Sequence, residues 1–101
     1  PRINAAALAN LAAILARWLP DGRIRFREYT ALNPTRNDRT AGSFRINLSS
    51  GRWADFATGD KGGDPISLAA YLFRLTQREA ALRLASMLNI DPHQGQTRRR
   101  P

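Results

Sequence analysis

The chain reads as a small α+β domain in which a small antiparallel β-sheet packs with an N-terminal helix and two C-terminal helices. Three observations predict this. Leu8, Leu11, Leu15, Trp18 and Leu19 recur at three- and four-residue steps, the spacing of one helix face. Over residues 23–29 and again over 43–48 apolar positions alternate with arginine and other polar residues, the period of a half-buried strand. After Asp64 the helical spacing returns, first through Ile66, Leu68, Ala69, Leu72 and Phe73, then through Ala80, Leu84, Met87 and Leu88.

Composition limits the chemistry. Hydrophobic residues make up 43% of 101 positions, enough for one modest core. The net charge is +8, and Lys61 is the single lysine among 16 basic residues. There is no cysteine, which excludes a disulfide framework and thiolate metal sites. The one histidine, His93, lies in a polar tail and cannot build an imidazole site or the usual Ser-His-Asp arrangement by itself. Leu11 to Ala16 is too short an apolar run to span a bilayer. No charged segment followed by a continuous apolar one opens the chain, so a cytoplasmic protein without membrane contact is expected. The positive charge is spread along the chain. Such a surface attracts nucleic acid or anionic lipid through the same field.

The elements follow in order. Residues 1–22 form an amphipathic helix, with Asn4 as a plausible N-cap and Pro20 and Gly22 ending it. Arg23 to Tyr29 reads as one strand, with Ile24 and Phe26 on one side and Arg23, Arg25 and Arg27 on the other. Same-face residues of a strand lie about 6.6 Å apart. Three guanidiniums at that pitch suit a phosphate backbone; the other reading is a solvated, charge-protected edge. Residues 31–43 form a polar loop from which Arg36 and Arg39 project. Ser43 to Leu48 and Arg52 to Phe56 form a hairpin around Ser49-Ser50-Gly51, with Gly51 placed for a positive φ. Arg45 and Arg52 extend the basic surface. Trp53 and Phe56 are core residues or base-stacking platforms.

Thr58 to Asp64 is glycine-rich, and Lys61 stands within it. Asp64-Pro65 opens a helix to about Leu75, a capping carboxylate followed by proline at the first helical position. Thr76-Gln77-Arg78-Glu79 is a capping box for a second helix to Leu88, ended by Asn89. Residues 91–101 read as a disordered basic tail. Neither phosphate-loop pattern, G-x-x-x-x-G-K-[ST] or G-x-G-x-x-G, is present. Asp55, Asp60 and Asp64 do not have the spacing of a calcium loop.

The stretch Asn33-Pro34-Thr35-Arg36, the hairpin after it, and the phrase DFATGDKGGDPISL from Asp55 to Leu68 resemble the zinc-ribbon domain of bacterial and phage DNA primases. The likeness is strongest to the primase–helicase proteins of phages and plasmids, and it covers about residues 30–90. Residues 23–90 are then a zinc-ribbon-like domain preceded by the helix. In that family four Cys and His ligands hold zinc. Laid onto this sequence, the first pair falls near Asn33 and Arg36 and the second near Asp55 and Thr58. None of these is a thiolate or an imidazole. The resemblance therefore implies the ribbon without metal or cofactor, its loss offset by the N-terminal helix and a Trp53–Phe56 pair.

In the family the ribbon contacts template single-stranded DNA, and synthesis belongs to another domain. The resemblance implies a non-catalytic DNA-binding module of a phage or mobile-element replication apparatus. Its contacts would be Arg23, Arg25, Arg27, Arg45 and Arg52, with Arg36, Arg39 and Lys61 at the rim and Trp53 stacking. The alternative is a protein-interaction adaptor that docks onto a replicative polymerase, primase or helicase through the N-terminal helix.

Overall fold

The structure, a computed structural model, describes residues 2–91 and 96–97. The N-terminal segment forms two helices rather than one, α1 (Arg2–Ala9) and α2 (Leu11–Trp18). Asn10 separates them. Its Nδ2 donates to the Ala6 carbonyl at 2.9 Å, while its backbone N–H reaches back only three residues, to Ala7. An asparagine side chain that engages a helix carbonyl competes with the backbone ladder. The break lets the segment serve two apolar clusters. Leu11, Leu15 and Leu19 pack with Tyr29, Phe44, Ile46, Trp53 and Leu68, whereas Ala7 and Ile14 join Ala69, Ala80 and Leu84. Full burial of a leucine or phenylalanine stabilises by roughly 1.5–3 kcal/mol, so α1 and α2 are part of the core rather than an appendage.

Five strands follow in an antiparallel meander whose spatial order is the chain order: β1 (Arg23–Arg25), β2 (Glu28–Ala31), β3 (Phe44–Asn47), β4 (Trp53–Asp55) and β5 (Lys61–Gly62). The single strand expected from Arg23 to Tyr29 is thus two. The chain reverses at Phe26 and Arg27, and Arg25 pairs with Glu28. Phe26 takes a positive φ of 57°, where glycine or asparagine is usual. Contacts to the next hairpin hold this turn: Leu48 N–H donates to Arg27 O at 2.7 Å, and Arg27 Nη1 donates to Ser49 Oγ at 2.7 Å.

Tyr29 joins the sheet to α2. Its buried hydroxyl donates to the Leu19 carbonyl just beyond the end of α2, which also accepts the Gly22 N–H at 3.0 Å, and burial holds the Tyr29 pKa above the usual range. The ring fills the space over Gly22, where a Cβ would come within 2.0 Å of it.

The Gly-rich segment leads to α3 (Pro65–Phe73), capped as its sequence predicts: Asp64 Oδ1 accepts the Ser67 N–H at 2.8 Å. Asn4 does not cap its own helix. Its Oδ1 accepts the Ile66 N–H of α3 at 3.0 Å. Since Pro65 has no N–H, the amides that open α3 are satisfied from two directions. Helix α4 (Gln77–Leu88) carries the expected Thr76–Glu79 box and ends at Asn89 in the left-handed region, φ 59°. Within the expected disordered tail, Gln96–Thr97 (β7) pairs with Ile90–Asp91 (β6). His93 and Arg98 to Arg100 lie outside the described residues. Among the described residues no helix is long and apolar enough to cross a membrane.

Candidate nucleic-acid interface

Register decides which side chains share a face. Tyr29, Ile46 and Trp53 are cross-strand partners, and all three are buried against the helices. The next row points the other way: Arg23 pairs with Thr30, Thr30 with Arg45, Arg45 with Ala54 and Ala54 with Lys61. One line of partners therefore crosses all five strands and carries a cation on the first, third and fifth. Alternate strands lie about 10 Å apart, so the directed charge runs across the sheet. It does not run along one strand through Arg23, Arg25 and Arg27. The reversal at Phe26 removes Arg27 from that line and leaves it bound to Ser49.

The outer face holds two shallow cavities, of about 310 and 390 Å³, which share Glu28 and Arg45. The first is rimmed by Arg52, Lys61 and Phe56, the second by Arg23, Arg25 and Phe26. Among the described residues Glu28 is the only acidic one lining either cavity, and its carboxylate lies 3.8 Å from Arg45 Nη1, a half-exposed pair of small energetic weight. Arg45 Nε donates to the Gly42 carbonyl at 2.7 Å, which fixes the side chain with its guanidinium 5.6 Å from the Phe56 ring centre.

Three aromatic assignments are corrected. Trp53 is only 5% exposed, stacks near Tyr71 with ring centres 4.6 Å apart, and donates its Nε1–H to Ser67 Oγ at 3.0 Å. It is a core residue and presents no face to a base. Phe56 is 71% exposed and does not pair with it. Positions 53 and 56 differ by an odd number, so a strand puts them on opposite faces. Phe26 and Ile24, expected to point inward, are 92% and 55% exposed.

Arg36 is not a rim cation either. Asp55 has no solvent exposure and accepts from Arg36 Nε at 2.8 Å, Asn33 Nδ2 at 2.8 Å and Ala57 N–H at 2.9 Å. Arg36 Nη2 also reaches Ser43 Oγ at 2.9 Å and Asp38 at 3.3 Å. Buried Asn33 donates to Tyr71 Oη at 2.8 Å, and Tyr71 donates to Asp60 at 2.8 Å. The Arg36 guanidinium holds the Asp55 carboxyl well below the usual carboxylate range, against the opposing effect of burial.

Asn33, Arg36 and Asp55 are three of the four positions that the primase resemblance lays on zinc ligands. Together they offer a carboxamide, a guanidinium and a carboxylate already bound to both; Thr58 is exposed and adds only a hydroxyl. A guanidinium has no lone pair to offer a metal, so this donor set does not fit zinc. Arg39 is exposed in the loop, away from both cavities.

No protein-family model matches the chain, and no curated protein matches it.

Proposed function

We propose that this chain is a non-catalytic DNA-binding module of a replication or priming apparatus, and that it binds through the outer sheet face. The carrying observation is that face itself: Arg23, Arg25, Arg45, Arg52 and Lys61 around two cavities, opposed by Glu28 alone. Linear cation rows over open aromatic side chains suit sequence-tolerant binding of single strands. The primase resemblance supports the replication setting. So does the meeting of Asn33, Arg36 and Asp55 at one point, as expected if that point once held a ligand set.

The test is binding of a fluorescent oligonucleotide at several salt concentrations. Five phosphate contacts on a single strand predict a log–log slope of about −3.5, at about −0.7 per contact. Replacing Arg23, Arg45 and Lys61 by alanine flattens that slope and weakens binding to all sequences. No binding at low salt, or binding indifferent to salt, overturns the proposal. Primer synthesis by the chain alone, with nucleotides and magnesium, overturns its non-catalytic part.

A second reading, an adaptor for a replicative polymerase, primase or helicase, is favoured by exposed Ile24 and Phe26 beside the outer edge of β1, which pairs with no strand among the described residues. The N-terminal helix is not its docking element, because Leu11 and Leu15 are already buried in the core. Co-purification with such a partner, by a chain that ignores DNA, would decide for it.

A further inference from the structure

Phe26 and Phe56 are large aromatic side chains that the core does not use. Each is open to solvent, 92% and 71% exposed. Phe26 also occupies a positive φ, 57°, a backbone state that costs a bulky residue stability which burial does not return here. Each ring stands on the rim of its own basic cavity, and the two cavities meet at Arg45. The volumes, about 310 and 390 Å³, fall at the lower end of the range of sites that hold small ligands. Arg45 stays within cation–π range of Phe56 and so places a phosphate-binding group beside an open ring.

We infer that Phe56 and Phe26 are two stacking stations for unpaired bases of one strand, with Arg45 holding the phosphate backbone between them. This rests on the nucleic-acid reading above and adds to it the two residues that discriminate a single strand from duplex. In a duplex each base face is covered by its neighbours, so a protruding ring finds nothing to stack on. A single strand offers its base faces freely. The cations would bind either form. The two rings are what separates them.

The experiment compares wild type, Phe56→Leu, Phe26→Leu and Phe56→Tyr on oligo-dT and on a duplex of equal length. Both side chains are exposed, so the variants keep the fold, which a thermal melt checks. The expected result is a loss of about tenfold in single-strand affinity for each leucine variant. Duplex affinity and salt slope stay unchanged, and Phe56→Tyr retains binding. In Phe56→Trp, added oligo-dT quenches the new indole emission. If wild type binds with the predicted salt slope while both leucine variants match it, the stacking inference falls and the DNA-binding proposal stands. Equal losses on single strand and duplex also overturn the inference. If wild type binds neither, both fall.

Discussion

The Asp55 carboxylate, closed to solvent, accepts the Arg36 Nε–H at 2.8 Å. This pair ties the 31–43 loop to β4. A charge buried with its partner and further hydrogen bonds is tolerated; a charge buried alone is not. Arg36→Met should therefore leave Asp55 with only Asn33 and Ala57 as donors. The expected result is a clear loss of stability, moderated because Arg36 is partly open to water. Urea denaturation measures it; an unchanged midpoint would deny the pair a structural role.

Acid should weaken the fold through the same group. The folded-state pKa of Asp55 is depressed below its ordinary 3.8, so the unfolded chain takes up the proton first. The stabilisation is complete above about pH 5 and is lost as pH falls through 4 and below. Melting curves from pH 6 to pH 2.5 should show this decline. In Asp55→Asn, less stable at neutral pH, the decline should be shallower; an identical acid profile would acquit Asp55.

Metal should not matter. Because the Asn33, Arg36 and Asp55 donor set does not fit zinc, neither EDTA nor added zinc should move the melting temperature. A structural zinc contributes folding free energy outright, so a drop of many degrees on chelation would overturn the metal-free reading.

Asn4 offers a test of long-range capping. Its Oδ1 meets the Ile66 N–H across the helix pair, 62 positions away in sequence. Asn4→Ala should cost about 1 kcal/mol, the typical value of a lost cap, or about 4–8 °C in a domain of this size. Asn4→Asp should recover most of it, because the carboxylate still accepts at the positive end of α3.

Phe26 should trade stability for binding. Phe26→Gly relieves the positive φ and should raise stability by about 1 kcal/mol. On the stacking inference it also loses single-strand affinity. A variant that melts lower would show that the ring contributes to the fold after all.

The elements with local signals were legible. Asp64-Pro65 and Thr76 to Glu79 form the caps that their residue types predict, and Gly51 takes its positive φ of 78°. Each depends on contacts within a few residues. The Phe26–Arg27 reversal has no such signal: no glycine, asparagine or proline marks it, and its ties to Leu48 and Ser49 come from another hairpin. Phe56 is a different case. Its outward direction was available from strand parity and was missed because an aromatic beside Trp53 suggests a core pair.

The sequence by itself determined the α+β class, the caps of α3 and α4, the excess of arginine and the lack of thiolate ligands. These follow from composition and from interactions a few residues long. Only the tertiary structure decided which cations act together, because a row through Arg23, Arg45 and Lys61 exists only once five strands are in register. It also decided that Trp53 closes the core, held between Tyr71 and Ser67. It decided that Arg36 neutralises Asp55 instead of facing a ligand. Pairing across strands and between loops selects partners far apart in the chain, and no local pattern encodes that choice.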